Sequence, residues 1–197
     1  MEPILLASGS LRRQDYFKML KIPFKILVPA IDETNQDNLN AEELCRNLAQ
    51  RKVEKTISVL KDRMPLWIFG ADTLISLDGD IFGKSEDRSH AKETLKKLSG
   101  KTHEVWTACA LYSNRTRYLD CRCLKTNVTF ADIDGETLEW YLDTCEWQGA
   151  AGAYKIQGLA ACFITNIEGS YSSVVGLPIH LFYTMLIENG YNMENHT

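Results

Sequence analysis

No apolar run in this 197-residue chain approaches the roughly 20 residues that cross a bilayer, so no membrane-spanning helix is expected. The opening stretch, 1–13, sets its basic residues after a short apolar run, the reverse of a secretion signal. It reads as a buried first strand, and a cytoplasmic protein is expected. Positive charge is not in excess: 22 Lys and Arg stand against 26 Asp and Glu, a net charge of −4. That balance speaks against a protein that wraps nucleic acid, which needs a broad basic face. A small anionic ligand held by a few inward-facing cations stays compatible with it. The six cysteines form no CxxC pair, and no histidine lies at a zinc-finger spacing from them. Cys45, Cys109, Cys121, Cys123, Cys145 and Cys162 are therefore expected to be reduced and mostly buried. A P-loop is missing too, because the Gly-Lys at 83–84 has no glycine-rich lead. With no low-complexity linker, repeat or charge block, the chain reads as one domain.

What remains is an alternation of strand and helix signals. An apolar strand at 4–7 leads into a helix at 11–20 with Ser10 as N-cap and Tyr16, Phe17 and Leu20 at helical spacing. A strand is expected at 24–30. Asn40 and Glu43 look like a capping box opening a helix with Leu44, Leu48, Val53, Ile57 and Leu60 inward. Residues 65–72 suit a central strand buried on both faces. Asp78-Gly79 inside 74–82 signals a hairpin. A helix at 89–98 is followed by two long strands at 104–113 and 116–130, paired antiparallel around Asn114. A helix at 134–144, a strand at 161–167 and a helix at 178–188 complete the pattern. The fold class expected is α/β, with a mixed, twisted central sheet and helices on its faces.

Four stretches could carry chemistry. Ser8-Gly9-Ser10-Leu11-Arg12-Arg13 joins a strand to a helix, where free N–H groups and the positive helix end suit phosphate. Hydroxyls and forked guanidiniums add to that. Read blandly, the same stretch is a capped helix with two solvated arginines. Gly70-Ala71-Asp72-Thr73 would set a carboxylate at the C-terminal end of a buried strand, where α/β proteins bind ligands. Asp72 could hold a divalent metal or take a proton from water, or simply cap its own turn. Asp32-Glu33, Lys52 and Lys84 are isolated charges that matter only if the fold gathers them. The small-residue-rich stretch 149–178 permits close backbone approach, to a ligand or within tight turns, and Gln157 is its group best able to read a base edge. His103 and His180 read as structural.

Taken together, LASGSLRRQDYF (6–17), DET (32–34), LAQRK (48–52), GADT (70–73), GK (83–84), LSGKTHEVWT (98–107), GAYKIQG (152–158) and GSYSSVVGLP (169–178) resemble the Maf family of nucleoside triphosphate pyrophosphatases over nearly the whole chain. The resemblance implies two lobes around a deep cleft, hydrolysis of nucleotides, and a divalent cation (Mg, Mn or Co). It makes Asp72 the general base or metal-positioning carboxylate, and gives Glu33 a share in holding the metal. Phosphate binding falls to Ser8, Arg13, Lys52 and Lys84, and substrate choice to Arg12, Thr73 and Gln157. That trio is similar to the branch acting on dTTP and UTP. The sister branch favouring 7-methyl-GTP has Trp at the position of Arg12 and Gln at that of Thr73. A homodimer is implied by the resemblance alone.

The chain departs from the family pattern at four places. Leu11 and Ser85 stand where proline is usual, Asp15 replaces a glutamate, and Ala150 replaces a lysine, with weaker phosphate binding as the expected direction. The rival readings are a 7-methyl-GTP pyrophosphatase and a nucleotide-binding regulator with little turnover.

Overall fold

The first strand lies between two parallel neighbours, because Ile4, Leu5 and Leu6 are apolar on both faces and find partners on both edges. The computed structural model describes residues 1–61 and 64–193. Strand β1 (Ile4–Leu6) pairs with β2 (Phe24–Ile26) in the register Ile4↔Phe24 and with β3 (Trp67–Leu77) in the register Ile4↔Trp67. The expected strand at 24–30 is cut to three residues. Ladder pairing ends with Leu6, and one further bond, Leu27 N–H to Leu6 C=O (3.1 Å), closes the edge.

The remaining elements are α1 (Leu11–Met19), α2 (Ala41–Leu60), β4 (Asp80–Phe82), α3 (Arg88–Leu98), β5 (Thr102–Ser113), β6 (Tyr118–Phe130), α4 (Gly135–Asp143), β7 (Ile164–Glu168), α5 (Tyr171–Val175) and α6 (Ile179–Glu188). Among the described residues the sheet has seven strands, ordered β2-β1-β3-β5-β6-β7, with β4 on β3. Parallel pairs at one end and antiparallel pairs elsewhere make it mixed, as expected for this α/β pattern. No helix among those residues is long and apolar enough to cross a membrane.

The chain folds as two compact units. The first comprises the described residues of 1–72, 107–124 and 176–197. On one side of its strands Ile4, Leu6, Trp67 and Phe69 pack with Phe17 of α1 and Phe182 and Met185 of α6. Phe17 lies 5.8 Å from Phe69 and 5.1 Å from Phe182, ring to ring. Each such buried aromatic contributes about 1.5–3 kcal/mol. The strand period of two turns Ile68, Gly70 and Asp72 to the opposite side, which α2 covers. The Asn40–Glu43 capping box forms, with Glu43 N–H donating to Asn40 Oδ1 at 3.0 Å. Leu44, Leu48 and Val53 are buried as expected, while Ile57 and Leu60 are half-buried.

Gly70 sets how closely α2 approaches β3. A Cβ there would stand 2.9 Å from Val53 Cγ2 and 3.0 Å from the Ala49 carbonyl. Gly70→Ala is expected to cost on the order of 2 kcal/mol by overpacking, read as a lower urea midpoint at unchanged slope. An unchanged midpoint would contradict this close approach.

The second unit comprises 73–106 and 125–175. The Asp78-Gly79 signal is borne out: both residues have positive φ (54° and 89°), and Leu77 pairs with Asp80. Strands β5 and β6 are sheet neighbours, and Thr102 meets Thr129 at 2.8 Å, so they run antiparallel as expected. Asp87 and Asp134 cap α3 and α4. A core of rings joins Phe130, Tyr154, Tyr141 and Phe163, with Phe130–Tyr154 centroids 4.9 Å apart. The expected strand at 161–167 splits into a 3₁₀ turn, Leu159–Phe163, followed by β7, and the five-residue α5 was not foreseen.

Candidate active site

Pairing between β1 and β3 ends at Leu6↔Phe69, extended by an Ala7 N–H to Phe69 C=O bond of 2.8 Å. Just past that point lie Ser8 on one strand and Asp72 on the other, which brings two of the sequence candidates to the same sheet edge. Asp72 is not the end of a strand, as the sequence suggested. It is the sixth residue of the eleven in β3, because the same strand runs on to form the Asp78-Gly79 hairpin.

Asp72 is 8% exposed and faces α2, where it is met by Lys52. The Lys52 ammonium is paired with Asp72 Oδ1 and also lies 2.9 Å from Glu33 Oε1. Three charges that were isolated in the sequence thus form a carboxylate–lysine–carboxylate array. Glu33 reaches it from the loop after β2. There Asp32 holds the turn by accepting from Thr34 N–H and Oγ1 at 2.9 and 2.8 Å. Those bonds hold the Asp32 carboxyl below its ordinary range.

Cys45, one turn into α2, had no role in the sequence reading. Its thiol donates to the Asp72 carbonyl at 3.4 Å, and burial pushes its ionisation well up, so it stays a donor. No sequence signal pointed to this contact, since 27 residues separate the pair. All six cysteines are free thiols, yet only Cys45 and Cys109 are buried. Cys121 and Cys123 are half-buried, and Cys145 and Cys162 are exposed, because α4's end and the 3₁₀ turn lie at the surface. The expectation of mostly buried thiols is corrected accordingly.

In the 8–13 turn, Ser10 occupies the N-cap position, but its hydroxyl makes no cap bond. Ser8 Oγ ties the turn instead, accepting from Ser10 N–H at 3.3 Å and from Arg13 Nη1 at 3.0 Å. Arg13 Nε donates to the Gly176 carbonyl at 2.8 Å, so this buried arginine is clamped from two sides. Arg12 is half-buried, and among the described residues no acidic group neutralises it. Burial, then the neighbouring Arg13 charge, lowers its hold on its proton. A half-buried cation beside another cation attracts an anion. Asp15 pairs instead with Lys18 at 2.9 Å on the surface, so the shortened side chain has no part in the array.

Thr73, Lys84 and Gln157 belong to the second unit. Thr73 follows Asp72 in β3 and is half-buried. Lys84 and Gln157 are exposed, and their segments are brought together by a Lys84↔Ala151 bridge and a Gly152 N–H to Gly83 C=O bond of 3.0 Å. Gly152 has φ +63°, and a Cβ there would meet Ile75 Cδ1 at 2.5 Å, so glycine is required at this crossing. Ala150 is fully buried, which makes its position a packing site in this chain. Leu11 is solvent-exposed, and Ser85 is buried. His103 is buried and His180 exposed on α6, in keeping with structural roles.

Among the described residues no three His, Cys, Asp or Glu side chains form a metal cage. Asp72 and Glu33 both reach the Lys52 ammonium, and a carboxylate pair on one point is the donor type a hard divalent cation takes when phosphate and water oxygens complete its shell.

The family described as Maf-like protein matches residues 3–189. A dTTP/UTP pyrophosphatase of Pelotomaculum thermopropionicum is 38% identical, over 98% of this chain and 100% of its own length. That of Symbiobacterium thermophilum is 40% identical over 97% and 96%. The dTTP/UTP pyrophosphatase of Escherichia coli K12 is 39% identical over 94% and 92%. With a match that runs from β1 through α6 and includes every element bearing a site residue, the chain belongs to the Maf-like family.

Proposed function

We propose that this chain is a hydrolase that cleaves dTTP and UTP between the α- and β-phosphates, releasing the nucleoside monophosphate and pyrophosphate. The observation that carries the reading is the Glu33–Lys52–Asp72 array, in which one ammonium meets two carboxylates. The substrate follows from near-full-length similarity to dTTP/UTP pyrophosphatases and from Arg12, Thr73 and Gln157 standing together in this sequence.

Asp72 orients the attacking water and accepts its proton as the oxygen closes on the α-phosphorus. Lys52 holds that carboxylate in place and, with Arg13, Ser8 and Lys84, balances charge on the phosphate oxygens. Thr73 and Gln157 read the base through hydrogen bonds, and Arg12 adds charge that favours the triphosphate. Asp72 and Glu33 would hold a divalent cation (Mg, Mn or Co), which would shield the polyphosphate charge. Modified pyrimidine nucleotides fit the same reading, as substrates removed from the nucleotide pool.

The test is pyrophosphate release from dTTP, UTP, CTP, GTP, 7-methyl-GTP and ATP, with and without Mg²⁺ or Mn²⁺. Metal-dependent cleavage is expected to be fastest with dTTP and UTP. Preference for 7-methyl-GTP would keep the reaction and overturn the substrate. Tight binding without product would point to a nucleotide-sensing regulator.

A further inference from the structure

The exposed Gln157 stands on a short segment whose neighbours are tied down unusually well. Tyr154, Ile156 and Ala160 are buried on either side of it. On its C-terminal side, the Glu146 carboxylate accepts from two successive backbone N–H groups, Leu159 at 3.1 Å and Ala160 at 3.4 Å. It therefore caps the 3₁₀ turn that begins directly after Gly158. The carboxylate also fills the space beside Gly158, where any Cβ would overlap it. On the N-terminal side, Tyr154 Oη is hydrogen-bonded to His103 Nε2 at 2.8 Å inside the ring cluster. Tyr141 Oη donates to the Ala153 carbonyl at 3.4 Å. Nothing in the hydrolytic step uses Glu146, Tyr154 or His103.

We propose that Glu146, seconded by the Tyr154–His103 bond, is a positioning residue that holds Gln157 in the orientation needed to discriminate the nucleobase. The inference rests on Gln157 being the base reader. A side chain that reads a base by hydrogen bonds discriminates only as well as its backbone is fixed, because a loose amide re-pairs with the wrong edge. Two N–H bonds to one carboxylate, thirteen and fourteen residues away in sequence, supply that fixation. Gln at position 146 would keep the volume but offer one acceptor to two donors, leaving one N–H without a partner.

The experiment compares kcat and KM for dTTP and CTP in the full-length protein and in Glu146→Gln, Tyr154→Phe, Gln157→Ala and Glu146→Gln/Gln157→Ala. Glu146→Gln is expected to lower the dTTP-over-CTP ratio of kcat/KM about tenfold, through KM for dTTP, with kcat within about threefold. Tyr154→Phe, which keeps the ring, is expected to lower it by a smaller factor of about three. The double variant should discriminate no worse than Gln157→Ala alone, since both changes act through one side chain. Equal loss on both nucleotides, or a double variant whose losses multiply, would overturn the role of Glu146. Unchanged discrimination in Gln157→Ala would overturn the base-reading assignment itself, and with it this inference. Should Glu146→Gln fail to fold, Tyr154→Phe against Gln157→Ala decides the same question.

Discussion

Asp72→Asn is expected to lower kcat for dTTP by about 10²- to 10⁴-fold, the usual share of a positioned acid–base group. The substitution keeps the side chain's size and its place in the middle of β3, so Val53, Ala49 and Cys45 keep their contacts with that strand. What disappears is the charge that faces Lys52 and the basic oxygen that accepts the water's proton. Asp72 and Lys52 side chains are only 11% and 13% exposed, so the loss also leaves the ammonium with Glu33 as its remaining partner. A moderate fall in stability should accompany the loss of turnover. Kinetics at 25 °C on protein with native circular dichroism separates the two effects. Near-normal turnover in a folded Asp72→Asn protein would remove Asp72 from the chemistry and leave it a structural partner of Lys52.

The second large effect concerns pH and stability. His103 is fully buried in the second unit, and burial pushes its ionisation down from 6.5 to about 4. Nε2 is engaged with Tyr154, while Nδ1 has no partner among the described residues, so a second proton would sit on an unpaired buried nitrogen. The folded protein therefore keeps the ring neutral where the unfolded chain already protonates it. The corresponding stability is fully present above pH 6.5 and is lost progressively as pH falls from there towards 4, below which the loss is complete. A shift of that size corresponds to about 3 kcal/mol, of which about 2 kcal/mol is lost by pH 5. Urea unfolding at pH 7.5 and pH 5 should show the unaltered protein losing about 2 kcal/mol more than His103→Gln. Parallel losses in the two proteins would mean that His103 does not carry this dependence.

Much of the local architecture was legible because its signals lie within a few residues of one another. Asn40 and Glu43 form their box, and Asp78-Gly79 makes the turn it spells. The helix signals at 89–98 and 134–144 come within one residue of α3 and α4. Local reasoning failed where a distant partner decided the outcome. Residues 28–30 lost strand pairing because β1 is too short to meet them. The stretch 161–167 was broken by Glu146 capping a 3₁₀ turn, an interaction with no mark in the strand-like composition of the segment. Ser10 holds the N-cap position it was expected to hold, but its hydroxyl makes no cap bond.

The site divides along the same line. From the sequence by itself came the chemical inventory: a strand-to-helix turn with Ser8, Arg12 and Arg13, carboxylates at 33 and 72, lysines at 52 and 84, Gln157, and motifs specific enough to indicate the Maf family. Tertiary structure alone decided which of these meet. Lys52 reaches Asp72 across 20 residues of chain, and Arg13 is clamped by a carbonyl 163 residues away. Periodicity reports which face of an element is apolar, and caps report where it starts. Neither encodes which two charged side chains the packing of α2 against β3 will bring within hydrogen-bond reach, because that distance is set by Gly70 and the core around it.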